Sequence, residues 1–242
     1  MTAGHKSKRA PGLARFLHRA GGLKSLPRTG WLDRGVDPTR CESVADHSLR
    51  VALLAWLAAE ELESETDLDV DRLLRLALIH DLAETLVGDI PPYDPSALAD
   101  VPERDRAAFL DRRHHRAPHR ASAKKAAERA AMADLLTDLS PTLRDRLGVL
   151  WRELELGESA EARFVKQADM LETYLQSREY AAKNPAIPVG SFAAEVAEAI
   201  ADPGLAALRD AIATLEPESS PADRATRLRA ADPPPVRPED RR

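Results

Sequence analysis

Residues 69–88 read DVDRLLRLALIHDLAETLVG, and this stretch decides the fold class. Leu73, Leu76, Ile79, Leu82 and Leu86 recur at steps of three and four, the period of a helix that buries one face. Asp69 stands where an N-cap belongs and Gly88 where a helix stops, which predicts one helix over the whole stretch. Three polar residues interrupt its apolar side: His80, Asp81 and Glu84. Positions three and four apart on a helix are neighbours, so Glu84 is placed beside both His80 and Asp81. A buried carboxylate needs a hydrogen-bond donor, a countercharge or a metal.

On the N-terminal side, residues 42–62 read ESVADHSLRVALLAWLAAEEL. Ser43 followed three residues later by Asp46 resembles a capping box, and His47 lies one turn inside the helix that follows. On the C-terminal side a long helix is predicted from about Ala160 to Lys183, stopped by Asn184-Pro185. Its segment FVKQADMLETYL sets Asp169 into an apolar face between Val165 and Leu171.

Between and beyond these lie an Ala-rich helix from about Ser122 to Leu139 and one begun by Ser140-Pro141 and closed by Gly157. Two shorter helices start at Ser191 and at Asp202-Pro203. The stretch from Ile90 to about Arg120 is a polar region rich in Pro and Asp. No alternating strand pattern occurs, so the expected fold is all-α.

The 242 residues are 43% hydrophobic, enough for a real core. Residues 1–10 are expected to be a flexible N-terminus, 11–215 the helical domain, and 216–242 a disordered tail rich in Pro and Arg. A net charge of −5 argues against a generic nucleic-acid-binding surface, and no nucleic acid partner is expected. The single cysteine, Cys41, excludes an internal disulfide and any multi-Cys zinc site. The longest apolar run, residues 51–59, is far short of the ~20 residues that span a bilayer. With no signal-like segment at the start, the expectation is a cytoplasmic protein without a membrane partner.

His47, His80, Asp81 and Asp169 offer two imidazoles and two carboxylates. If they converge, their mixed nitrogen and oxygen donors suit a borderline divalent metal better than Ca. Glu84, close by, is placed to orient a water or move its proton.

Several segments then appear in order: Arg28-Thr29-Gly30-Trp31, Glu42-Ser43-Val44-Ala45-Asp46-His47-Ser48, Leu78-Ile79-His80-Asp81-Leu82-Ala83-Glu84, Val87-Gly88-Asp89-Ile90 and Phe164-Val165-Lys166-Gln167-Ala168-Asp169. Over about residues 12–183 the chain resembles the HD-domain metal-dependent phosphohydrolases. Within them it is similar to the branch of the bacterial 5′-deoxynucleotidase and the eukaryotic HD domain-containing protein 2. The resemblance implies a helical bundle around a mononuclear divalent metal, of identity Mn, Co, Fe, Zn or Mg, held by His47, His80, Asp81 and Asp169.

By the same resemblance, Glu84 is the catalytic acid/base, and Asp89 lines the pocket and contacts the nucleotide sugar. Trp31 packs near that sugar, and an arginine holds the phosphate. Arg28 is the first choice for that arginine, with Arg34 and Arg40 as rivals. The implied reaction converts deoxyribonucleoside 5′-monophosphates to deoxynucleoside and phosphate, in a homodimer acting on a small nucleotide. Competing readings are an HD phosphohydrolase acting on a cyclic or pyrophosphate-bearing nucleotide, and a nucleotide-binding protein with little turnover.

No ligand role is assigned to Lys166 or Gln167. Cys41 is expected as a small semi-buried residue. His114, His115 and His119 lie in a segment, about 99–122, that looks longer than the family's connection; it is expected as solvated surface rather than a second metal site.

Overall fold

The computed structural model describes residues 9–64 and 67–215. The expectations for residues 1–8 and 216–242 lie outside the described residues. Twelve α-helices are found among the described residues. They are α1 (Ala10–Ala20), α2 (Thr29–Asp33), α3 (Val44–Glu61), α4 (Val70–Ile79), α5 (Glu84–Val87), α6 (Pro95–Ala99) and α7 (Glu103–Leu110). There follow α8 (Pro118–Leu136), α9 (Pro141–Leu156), α10 (Ala160–Lys183), α11 (Gly190–Ala199) and α12 (Pro203–Thr214). Among the described residues no strand forms, and one antiparallel bridge joins Pro27 to Ser43.

Local chemistry sets where the main helices begin. Ser43 Oγ accepts the Asp46 N–H at 3.1 Å and Asp46 Oδ2 accepts the Ser43 N–H at 2.9 Å, a reciprocal cap that starts α3. Asp69, Ser159 and Asp202 cap α4, α10 and α12 through the N–H groups of Arg72, Ala162 and Leu205. Gly157 ends α9 in the left-handed conformation at φ 66°, where a side chain would be strained.

Helices α3, α4 and α10 pack on one another. Val51, Ala55, Leu73, Leu76, Val165 and Leu171 form the heart of the larger apolar cluster between them. A second cluster, around Val44, Ile79, Leu82 and Leu135, lies on the α8 side. A third and smaller one gathers Trp31, Val36, Tyr180 and Ile187.

Two expectations are corrected. The helix predicted over 70–87 is broken: α4 ends at Ile79, residues 80–83 turn, and α5 restarts at Glu84. The His80 ring explains the break. Its Nδ1 donates to the Ala77 carbonyl at 2.7 Å, the acceptor that the Asp81 N–H would take in a continuing helix. Backbone bonds then shorten to Leu82 N–H on Ile79 O and Glu84 N–H on Asp81 O.

The second correction concerns the segment around 99–122. Leu110 is buried with Tyr93 and Leu98, and the His114 ring packs 4.4 Å from Phe109 while its Nε2 donates to the Phe109 carbonyl. The segment is docked rather than solvated, although His115 and His119 stay exposed. Neither His114 nor its neighbours belong to a metal-competent cluster among the described residues.

Candidate metal centre

His47 is carried by α3, one turn past its cap, and is fully buried. His80 follows the end of α4, Asp81 lies in the turn after it, and Asp169 sits midway along α10. The packing of these helices brings the four side chains together. His47 Nε2 lies 3.4 Å from His80 Nε2, 3.0 Å from Asp169 Oδ1 and 3.7 Å from Asp81 Oδ2. His80 Nε2 is 3.1 Å from Asp81 Oδ2.

Both imidazoles are aimed by their second nitrogen. His80 Nδ1 is bound to the Ala77 carbonyl, and His47 Nδ1 pairs with the Glu172 carboxylate. Each ring therefore presents Nε2 to the cluster. Glu172, itself fully buried, accepts from Arg50 Nε at 2.7 Å, and Arg50 also reaches Glu179 at 2.9 Å. Neither Glu172 nor Arg50 was singled out from the sequence. The signal was available, since each stands three residues after a candidate ligand on the same helix.

This donor set fits a divalent cation. Separations of 3.0–3.7 Å are those expected between ligands each about 2.1 Å from one ion. The electrostatics agree. Burial alone lowers the His80 pKa, but Asp81 and Asp169 outweigh it and raise it to about 9. Burial opposes ionisation of Asp81, yet His80, His47 and Arg28 hold it well below the usual carboxylate range. The cluster is a place where positive charge is favoured.

Glu84 opens α5 and lines the same cavity as His80, Asp81 and Asp169, a space of about 220 Å³. Burial, with Asp81 and Asp89 adding repulsion, raises its pKa to about 9. Its Oε1 lies 3.8 Å from Lys124 Nζ, and its Oε2 is buried without a hydrogen-bond partner among the described residues. Lys124, which is tied to Glu128 on α8, is a further group the sequence reading missed.

Arg28 is held beside the cluster by the strand-like pairing of its N–H with the Glu42 carbonyl. Its guanidinium is 4.0 Å from Asp81 and donates to Thr173 Oγ1 at 3.2 Å. With Trp31 and Asp89 it lines a second pocket of about 180 Å³. Asp89 Oδ2 accepts the Thr29 N–H at 2.5 Å, so it also caps the first turn of α2.

Trp31 is only 2% exposed, donates Nε1–H to Glu42 and packs against Tyr180 and Phe192. Arg34 lies at the same pocket but is committed elsewhere: it donates to the carbonyls of Gly30, Leu110 and Pro188 and to Ser191 Oγ. Arg40 is exposed and lines neither pocket. Of the three arginines, Arg28 alone combines pocket access with proximity to the cluster.

Of the remaining motif residues, Lys166 lines the same cavity as His80, Asp81, Glu84 and Asp169. Lys166 Nζ donates to the Glu155 carbonyl near the end of α9, and Gln167 Oε1 accepts the N–H groups of Ala201 and Asp202. Cys41 is half-buried, and burial pushes its thiol up to about 11, so it is no nucleophile at neutral pH. No described helix is long and apolar enough to cross a membrane.

Comparison with known proteins agrees with this architecture. The family model described as HD domain matches residues 20–202. The 5′-deoxynucleotidase HDDC2 of Mus musculus is 40% identical over 170 residues, covering 70% of this chain and 70% of that protein. Among solved structures, the PH0347 protein from Pyrococcus horikoshii OT3 aligns with a TM-score of 0.61 and 26% identity over 84% of this chain and 99% of its own. A predicted metal-dependent phosphohydrolase from Magnetospirillum magnetotacticum MS-1 aligns with a TM-score of 0.57 and 27% identity, covering 90% of this chain and 93% of that one.

Proposed function

The chain belongs to the HD-domain family, and from that premise we propose that it is a metal-dependent 5′-deoxynucleotidase, releasing phosphate from deoxyribonucleoside 5′-monophosphates. One observation carries the reading: donors of His80, Asp169 and Asp81 lie 3.0–3.7 Å from His47 Nε2, with the Arg28 guanidinium 4.0 Å from Asp81.

His47, His80, Asp81 and Asp169 would hold a divalent cation; the donor set suits Mn, Co, Fe or Zn, with Mg also accommodated. When bound, such a cation would supply Lewis acidity toward a water and a phosphoryl oxygen. Arg28 binds the remaining phosphoryl oxygens; a guanidinium fork matches two of them at once. It arrives already oriented by Thr173.

Glu84 transfers the proton. Burial and the charges of Asp81 and Asp89 raise its pKa to about 9 even with Lys124 and Arg28 pulling it down, and a further positive charge nearby would draw it back toward the working range. With one oxygen free of partners, it can give or take a proton without first breaking a bond. Asp89 and Trp31 face the sugar, Asp89 as an acceptor for a hydroxyl and Trp31 as a wall. Because the indole N–H is spent on Glu42, Trp31 acts by shape.

A homodimer is supported by an uncovered apolar stripe on α3, where Leu49, Leu53, Trp56 and Leu57 are exposed at helical spacing.

The test is phosphate release from a panel of deoxy- and ribonucleoside monophosphates, cyclic nucleotides and pyrophosphate-bearing nucleotides, with Mn, Co, Mg and Zn, alongside elemental analysis of the purified protein. Release from the deoxyribonucleoside monophosphates, with dAMP ahead of AMP, is expected. Release confined to cyclic or pyrophosphate-bearing substrates overturns the reading, and equal turnover of dAMP and AMP overturns the roles given to Trp31 and Asp89.

A further inference from the structure

The pocket that begins at Arg28 and Asp89 has a far wall, made by residues 112–114 and by α11. Three ties join these two segments. Arg34 donates at once to the Leu110 carbonyl at 3.0 Å and to Ser191 Oγ at 3.2 Å. The Gly190 N–H donates to Asp111 Oδ1 at 2.6 Å, and Arg113 pairs with Glu198. The approach is close: a Cβ at 190 would sit 2.7 Å from Asp111 Oδ2, so a larger residue there would push the Asp111 carboxylate aside. A wall fastened at three points is pre-formed, and pre-formed polar groups give selectivity at little ordering cost.

Two charged groups of this wall take no part in the ties. Glu195 lies on α11 one turn beyond Ser191, lines the pocket, and makes no hydrogen bond or ion pair among the described residues. Arg112 also lines the pocket; its guanidinium stands 5.7 Å from the Phe109 ring and meets no carboxylate among the described residues. Phe192, on the same helix, also lines the pocket, its ring packed against Trp31 and the Arg34 guanidinium.

We propose that this wall reads the nucleobase and selects guanine, with Glu195 accepting from the N1–H and 2-amino groups and Arg112 donating to O6 and N7. The proposal rests on the deoxynucleotidase reading, since the base reaches this wall only when the phosphate lies at Arg28 and the metal centre. The chemistry follows from donor patterns. A carboxylate wants two adjacent donors, and a guanidinium wants two acceptors. Guanine presents both pairs, O6 and N7 being the usual partners of an arginine fork. Thymine has a single ring N–H, and adenine pairs its amine with an acceptor. A site built to hydrogen-bond a substrate group rejects analogues lacking that group far more strongly than an apolar pocket does.

The experiment uses the full chain loaded with Mn and measures kcat/KM for dGMP, dIMP, dTMP and deoxyribose 5-phosphate. Native protein, Glu195→Gln and Arg112→Ala are compared, with circular dichroism as the check on folding. The dGMP to dTMP ratio is expected to be about ten or more in the native protein, with dIMP, which lacks the 2-amino group, in between. The ratio should fall toward one in Glu195→Gln and narrow in Arg112→Ala, a variant at an exposed position. A native ratio near one, or a ratio untouched by both substitutions, overturns base selection while turnover of deoxyribose 5-phosphate leaves the deoxynucleotidase reading standing. No turnover of any of the four substrates removes that reading, and base selection with it.

Discussion

The metal centre is suspended from α3, α4 and α10, which bury one another through a broad apolar cluster. The pocket beside it is walled by α2, residues 110–114 and α11, whose own cluster is small and whose cohesion comes from ties such as the four bonds of Arg34. One half is rigid because hydrophobic burial makes it so; the other is rigid because polar groups are satisfied pairwise. The two should therefore fail in different ways. Damage to the first should cost the ion and the chemistry. Damage to the second should cost substrate fit while the ion stays.

The largest effect is expected from His80→Ala or Asp81→Ala, which should lose both bound metal and turnover to the uncatalysed background while helicity by circular dichroism is retained. Full activity in either variant would break the assignment of the centre. Glu84→Ala should keep the metal, by elemental analysis, and lose about 10²–10⁴ in kcat, the usual contribution of a general acid or base. Loss of the ion in that variant would make Glu84 a ligand instead.

Glu172→Gln, which weakens the support under His47, is expected to lower metal affinity about 10–100-fold, measurable by competition with a chelator. No change there would show that the His47 ring is held by packing alone.

Acidity sharpens the contrast further. A protonated imidazole cannot be a ligand, so with the His80 pKa near 9, apparent metal affinity should strengthen with rising pH up to about that value, by about tenfold per unit for this one proton. The metal-free fold should move the other way. Its raised pKa stabilises the folded state fully below the ordinary 6.5, and that stabilisation is lost as pH climbs through about 9. Calorimetric titrations and thermal melts across pH 6–9 read both trends.

The smallest effect on turnover is expected from Arg34→Ala. Three carbonyls lose their donor, so KM should rise several-fold with metal content unchanged. If the truncation costs about 2 kcal/mol, the thermal midpoint should fall by roughly 4–8 °C. A loss of metal in this variant would erase the distinction between the two halves.

The same distinction governs what could be read from the sequence. The caps of α3 and α4, the full span of α10 and the four candidate ligands follow from local pattern, because an amphipathic helix writes its geometry in its period. The break after Ile79 did not, because it depends on one ring nitrogen outcompeting a backbone N–H. Helices α6 and α7 and the docking of residues 110–114 were also hidden. Their partners, such as Arg34 with Leu110, lie 76 positions apart and leave no local period. Among the rival arginines, charge alone was uninformative: Arg28 reaches Asp81 while the Arg34 donors are already committed to three carbonyls and Ser191.

Gln167 and Asp169 stand two positions apart in one short motif, yet they serve opposite sides of α10. Asp169 faces the cluster, while the Gln167 amide oxygen gathers the N–H groups of Ala201 and Asp202 at the entrance to α12. A comparison of letters weighs the two alike. On the proposed assignment one serves reactivity and the other assembly, so a chain that kept the glutamine and lost the aspartate would still carry its last helix in place, as a scaffold emptied of chemistry.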